Sequence, residues 1–184
     1  MIRFNNEQAG PHKATDTLMR VLVTGTDGYI GSLLGPLLLR AGLDVVGLDA
    51  GFYRDGCLYT NPAEQGLFPA TLARDLRTVA PDDLRGFDAV VHLAELSNDP
   101  LGETNPEVTY EINHLGSVRL ARAARDAGVR RFVYASSSSV YGDSPTLPKV
   151  EDDLGRPLSP YAVTKLADEL YSTVYGHLHG METF

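Results

Sequence analysis

A chain of 184 residues, 43% hydrophobic and 22% charged, is long enough for one domain with a sizeable core and has the make-up of an ordinary globular protein. The formal net charge of -8, with no cluster of Lys or Arg, argues against nucleic acid as a partner. A single cysteine, Cys57, excludes an internal disulfide framework and a multi-cysteine metal site and fits a reducing, cytoplasmic compartment. No apolar run approaches membrane-spanning length. Residues 1–18 lack the apolar centre of a signal peptide and are expected to form a flexible polar extension. Met19 directly precedes the first strand, so the domain is expected over residues 19–184.

In chain order, Arg20–Thr24 is a short β-branched run that meets a glycine-rich turn. Ile30–Ala41 follows as a helix ended by Gly42, with Pro36 inside it as a candidate kink or stop. Asp44–Leu48 reads as the second strand, ending at Asp49. The stretch from Ala50 to Pro69, rich in Gly, Tyr, Pro and Asn, reads as a long loop. Thr71–Arg74 is expected as a third strand and Asp88–Leu93 as a buried fourth. Asn105-Pro106-Glu107 combines a cap, a first-turn proline and an acid, predicting a helix to Asp126 closed by Gly128. Arg131–Ala135 is the fifth strand, and Ser159-Pro160 opens a last helix. Strands that alternate with helices imply a parallel sheet covered on both faces, a doubly wound α/β domain.

The first crossover carries the cofactor argument. In Thr24-Gly25-Thr26-Asp27-Gly28-Tyr29-Ile30-Gly31, glycines recur every three residues between a strand and a helix. Gly25 suits the tight turn, Gly28 the approach of a pyrophosphate, and Gly31 close packing of helix on sheet. Phosphates would sit at the helix N-terminus, among N–H groups without partners. Asp49, twenty-four positions after Gly25, can accept hydrogen bonds from the adenosine ribose and would repel a 2′-phosphate. NAD is therefore expected rather than NADP. Arg54 could soften that preference but reads as an exposed loop arginine. In the last helix, Tyr161 and Lys165 lie four apart and share one face, so the ammonium can tune and orient the phenol.

With these motifs in this order, the chain resembles the extended short-chain dehydrogenase/reductase family, in its nucleotide-sugar epimerase/dehydratase branch, over roughly residues 20–180. The resemblance implies a three-layer Rossmann fold in which Gly25, Asp27, Gly28, Tyr29 and Ile30 belong to the NAD loop. It implies that Asp49 contacts the ribose and that Asp75, with Leu76 beside it, contacts the adenine. His92-Leu93-Ala94 resembles the fourth-strand signature, with Leu93 and Ala94 along the cofactor, although Glu95 stands where a second alanine is usual. Asn113 matches the asparagine that helps position the active-site region.

Ser137, Tyr161 and Lys165 match the catalytic set. Tyr161 would act as base, with Lys165 also holding the nicotinamide ribose, and Ser137 would bond the substrate oxygen. A free phenol has a pKa near ~10, so Tyr161 needs the help of Lys165 and of the cofactor's positive charge. Ser138 and Ser139 stand where sugar dehydratases carry an Asp-Glu pair, which favours epimerisation or alcohol oxidation over dehydration. The expected partner is a nucleotide sugar, and relatives dimerise through the helices that begin near Asn105 and Ser159. The alternative is a truncated NAD-binding module without turnover, because the chain is expected to stop before the sixth strand and to lack the C-terminal substrate region.

Other clusters carry less. His177 and His179 do not share a helix face, and His12, His92 and His114 have no ligand spacing, so no metal is expected. Asn98-Asp99-Pro100 could line the sugar or pyrophosphate pocket, or be an ordinary turn.

Overall fold

The computed structural model describes residues 18–54, 67–143, 145, 148–150, 152–153 and 155–184. His12, Cys57 and most of the expected long loop lie outside the described residues.

Alternation along the first strand sets the layers. In β1 (Arg20–Thr24), Val21 and Val23 face one core while Leu22 faces the other. A strand buried on both faces requires helices above and below it. β1 pairs in parallel with β2 (Asp44–Asp49) and with β4 (Ala89–His92). β3 (Ala70–Ala73), β5 (Arg131–Tyr134) and β6 (Glu182–Thr183) complete a parallel sheet in the order β3-β2-β1-β4-β5-β6. The chain thus builds outward to β3 and then returns to the far side of β1. That reversal opens a crevice at the carboxyl ends of β1 and β4, where doubly wound sheets take ligands.

On one face, α1 (Tyr29–Arg40) supplies Leu34 and Leu38 against Val21, Val23 and Val45. Pro36 does not end it; the helix runs on to Arg40. On the other face, Leu120, Ala121 and Ala124 of α4 (Gly116–Ala127) pack on Leu22, Val90 and Phe132. Tyr171 and Tyr175 of α5 (Pro160–His179) join that core.

The helix expected from Asn105 exists but is not uniform. Asn105 accepts from Val108 N and Pro106 opens α3 (Pro106–Thr109), as the cap signal implies. A π-helical stretch, Tyr110–Leu115, then separates α3 from α4 and buries Ile112 and Asn113. A further helix, α2 (Asp99–Thr104), occupies the Asn98-Asp99-Pro100 segment; Asn98 caps it through Leu101 N.

The expected stop before a sixth strand is corrected. Gly180, at φ +68, ends α5 and turns the chain so that Met181 enters the core. Glu182 and Thr183 then pair with Arg131 and Phe132 of β5, so the sixth strand has begun.

Candidate active site

A cavity of about 610 Å³ opens at the switch point between β1 and β4. Its floor is the glycine turn. Gly25 has φ +77, and a Cβ there would stand 2.9 Å from Ala94 N; a Cβ on Gly31 would stand 2.0 Å from Gly25 O. Both positions therefore require glycine to let α1, the turn and the end of β4 close together. α1 begins at Gly28 with no side-chain cap and no acid in its first turn, so its positive end meets the cavity uncompensated.

Two carboxylates shape the rim. Asp49 accepts from Asp27 N at 3.0 Å and from Gly51 N at 2.7 Å, which fixes it at the end of β2. Arg54 is exposed, as expected, yet its Nε donates to Asp27 at 3.0 Å, so it is tied to the rim rather than free. Asp75 lines the cavity with Leu76, but its carboxylate is engaged by Arg77, through Nη2 at 2.7 Å and through the Arg77 backbone N–H at 2.9 Å. The Arg77 hydrogen bond holds the Asp75 carboxyl below its ordinary pKa.

Behind the cavity a buried chain of hydrogen bonds joins β1, β4 and the π-helical stretch. Thr24 Oγ1 accepts from Leu93 N at 3.1 Å and from Ala94 N at 3.0 Å. With both lone pairs used, its proton goes to His92 Nδ1, 2.8 Å away. His92 is then the Nε2–H tautomer and donates to Ser117 Oγ at 2.7 Å, and Ser117 donates to Asn113 O. Burial, with a smaller push from Lys165, lowers the His92 pKa to about 3, consistent with a neutral ring. The Asn113 side chain clamps the segment after β4, accepting from Leu96 N and donating to Leu96 O. Asn113 belongs to the π-helical stretch, and such segments are frequent at functional sites.

α5 brings Tyr161 and Lys165 to the same cavity. Ser159 caps this helix through Ala162 N and donates to Asp99, which also accepts from Ser139 Oγ at 3.0 Å. The Tyr161 phenol is pushed up by burial and pulled back by a hydrogen bond from Ser137; Glu95 and Asp99 push it further up. Lys165 Nζ lies 5.9 Å from the Tyr161 ring centre, so the two share a face as the spacing predicts. Its direct contacts are elsewhere: it donates to Ala135 O at 2.6 Å and pairs with Glu95 Oε2 at 3.0 Å. Lys165 therefore favours the phenolate less directly than expected.

The sequence-predicted residues are largely brought together. Gly25, Asp27, Gly28, Tyr29 and Ile30 line the cavity, as do Asp49, Asp75, Leu76, Leu93 and Ala94. Asn113 stands behind it as a clamp, and Ser137 does not line it but pulls down the pKa of the Tyr161 phenol that does. Asn98 lines the cavity, whereas Asp99 ties α2 to Ser139 and Ser159, so the Asn98–Asp99 segment divides between its two readings. Sequence reasoning missed the buried acids: Glu95 was visible as a break in the fourth-strand pattern, and Asp168, bonded to His114 Nδ1 at 2.7 Å, left no signal. Burial and the nearby Glu95 push Asp168 up to about 8. Among the described residues no group of His, Cys, Asp and Glu could hold a metal ion, and no helix is long and apolar enough to cross a membrane.

Known proteins resemble this chain in sequence and fold. The chain is 39% identical over 175 residues to a UDP-glucose 4-epimerase of Mycolicibacterium smegmatis, covering 89% of this chain and 53% of that protein. It is 36% identical over 168 residues to a UDP-glucose 4-epimerase of Streptomyces lividans, covering 88% and 49%. Among solved structures, MoeE5 in complex with UDP-glucose and NAD superposes with a TM-score of 0.75 at 37% identity, over 89% of this chain and 51% of that one. The Thermus thermophilus UDP-glucose 4-epimerase complex with NAD gives 0.76 at 35% identity, over 90% and 53%. The chain spans about half the length of the curated relatives it matches. The description NAD dependent epimerase/dehydratase family matches residues 21–184, and with the fold and cavity above it establishes that the chain belongs to that family.

Proposed function

We propose that the chain is the cofactor-binding part of an NAD-dependent nucleotide-sugar epimerase or oxidoreductase, with Tyr161 as its base. The observation that carries the reading is that Tyr161 and Lys165 line the same cavity as the uncapped start of α1 and Asp49. A dinucleotide fits this donor set: the pyrophosphate at the N–H groups around Gly28, the adenosine ribose at Asp49, the adenine near Asp75 and Leu76. Leu93 and Ala94 would line its length, and Lys165 would hold the nicotinamide ribose. NAD bound there supplies a hydride acceptor for the carbon that carries the reacting hydroxyl.

The remaining chemistry belongs to the protein. Ser137 bonds both the Tyr161 phenol and the incoming sugar hydroxyl, which aligns the proton with its acceptor. Tyr161 removes that proton, a task that requires its phenol to come down from the raised pKa that burial imposes. Charge at Lys165, together with the positive charge of NAD when it is bound, would supply that lowering. Ser138 and Ser139 offer no acid–base pair, and Ser139 is already bonded to Asp99. This favours epimerisation or alcohol oxidation over dehydration. The exposed Val163, Leu170, Val174 and Leu178 of α5 suit a homodimer through this helix and α3–α4, testable by light scattering.

The test is to titrate the NAD-loaded chain with UDP-sugars and follow reduction of the nicotinamide. Reduction supports the reading. NAD binding with no reduction by any sugar favours an NAD-binding module without turnover.

A further inference from the structure

Lys165 is 4% exposed, and a buried ammonium without a counter-charge is driven to give up its proton. In this chain it is surrounded on three sides: the Ala135 carbonyl at 2.6 Å, the Tyr134 ring at 4.7 Å, and Glu95 Oε2 at 3.0 Å. The Glu95 side chain is itself 2% exposed. An isolated buried carboxylate is as unfavourable as an isolated buried ammonium, so each group depends on the other for its charge.

We propose that Glu95 is a positioning residue: its carboxylate keeps the buried Lys165 ammonium charged and fixed beside Tyr161, making the Tyr161–Lys165 pair dependent on a third, acidic member. This rests on the reading of Tyr161 and Lys165 given above.

The titratable groups around the pair come from every element packed on it. His92 of β4 is held neutral by burial, and burial pushes the Tyr134 phenol of β5 well up. Tyr161 and Asp168 face it from α5, Asp99 acts on Tyr161 from α2, and His114 of the π-helical stretch holds Asp168 at 2.7 Å. Burial holds the Glu95 pKa above its ordinary value, and the Lys165 charge pulls it partway back. Asp168, pushed to about 8, keeps its proton at neutral pH. The acid in direct contact with Lys165 is Glu95, and it balances the ammonium.

The test reads Lys165 itself. The chain has three lysines, Lys13, Lys149 and Lys165, so lysine labelled with ¹⁵N at Nζ gives three resonances. The variants Lys13→Arg and Lys149→Arg assign them. In Glu95→Gln the titration midpoint of Lys165 is expected to fall by at least about one pH unit relative to the native chain. Glu95→Asp should fall between the two. The Kd for NAD is expected to rise about tenfold in Glu95→Gln, because the ammonium is no longer held for the ribose.

An unchanged midpoint in Glu95→Gln overturns the proposal, since a side chain that merely fills space is replaced by its amide without effect on a neighbouring proton. The titration needs neither NAD nor sugar, so a native chain that fails to bind NAD counts against the proposed function and leaves this test standing. If Glu95→Gln does not fold, the double variant Glu95→Gln/Lys165→Met buries neither charge and is expected to regain the folded state. A double variant as unstable as the single one overturns the proposal.

Discussion

Asn113 and Leu96 bond each other twice: Leu96 N donates to Asn113 Oδ1 at 2.9 Å and Asn113 Nδ2 donates to Leu96 O at 3.0 Å. A fully buried side chain thus imitates a neighbouring strand and holds the segment that leads from β4 to the cavity. Asn113→Ala leaves both Leu96 backbone groups without partners. It is expected to lower unfolding free energy by about 2 to 4 kcal/mol, read by urea denaturation. A loss well under 1 kcal/mol would show that water replaces the clamp at little cost.

The buried titratable groups make opposed contributions to stability. His92 is depressed from 6.5 to about 3 in the folded chain, so its contribution is present above 6.5 and lost as pH falls towards 3. Asp168 is raised from 3.8 to about 8, so its contribution is present below 3.8 and lost as pH rises through 8. The two slopes oppose each other between 3.8 and 6.5, and Asp168 acts without that opposition from 6.5 to 8. Calorimetry should therefore show the melting temperature falling from pH 6.5 to 8, and Asp168→Asn should flatten that limb. Parallel curves for the native chain and the variant would contradict the assignment.

The glycines of the turn differ in what a methyl group would meet, and this separates folding from binding. A Cβ at Gly31 would overlap the Gly25 carbonyl at 2.0 Å, so Gly31→Ala is expected to destabilise the chain by more than about 3 kcal/mol. At Gly28 the nearest atom is the same carbonyl at 3.2 Å, which a small shift relieves. Gly28→Ala is therefore expected to fold with a loss of about 1 kcal/mol or less while weakening NAD binding at least about tenfold. Thermal melts and calorimetric titration check both, and unchanged NAD affinity in Gly28→Ala would place the pyrophosphate elsewhere.

Asp49 carries the expected choice between NAD and NADP. Its carboxylate is held by Asp27 N and Gly51 N and lines the cavity. Asp49→Asn keeps an acceptor but removes the charge that would repel a 2′-phosphate. Affinity for NAD is expected to fall about tenfold, and the gap between NAD and NADP to narrow. An unaltered ratio of the two affinities would remove Asp49 from that role.

Much of the fold was legible because its signals are local. β1, the cap at Asn105 and the Ser159-Pro160 start of α5 follow from β-branched runs and capping chemistry, and they fall where expected. The glycine turn and Asp49 were legible because their spacing is imposed by one crossover. The π-helical stretch was not, since nothing in Tyr110–Leu115 marks a wider turn and the Asn113–Leu96 clamp within it is a tertiary contact. Nor was α2, because Asn-Asp-Pro serves equally as a turn and as a helix start. The beginning of β6 depends on how α5 ends, a tertiary matter that periodicity cannot report. The link from Glu95 through Lys165 towards Tyr161 joins residues seventy positions apart and becomes visible only when β4 and α5 meet.

The most direct test of the account is the Tyr161→Phe variant beside the native chain, each loaded with NAD and mixed with UDP-sugars. Nicotinamide reduction should appear in the native chain and fall at least about a hundredfold in the variant, with NAD affinity retained. Reduction at the native rate in Tyr161→Phe, or no reduction by the native chain while NAD is bound, would contradict it.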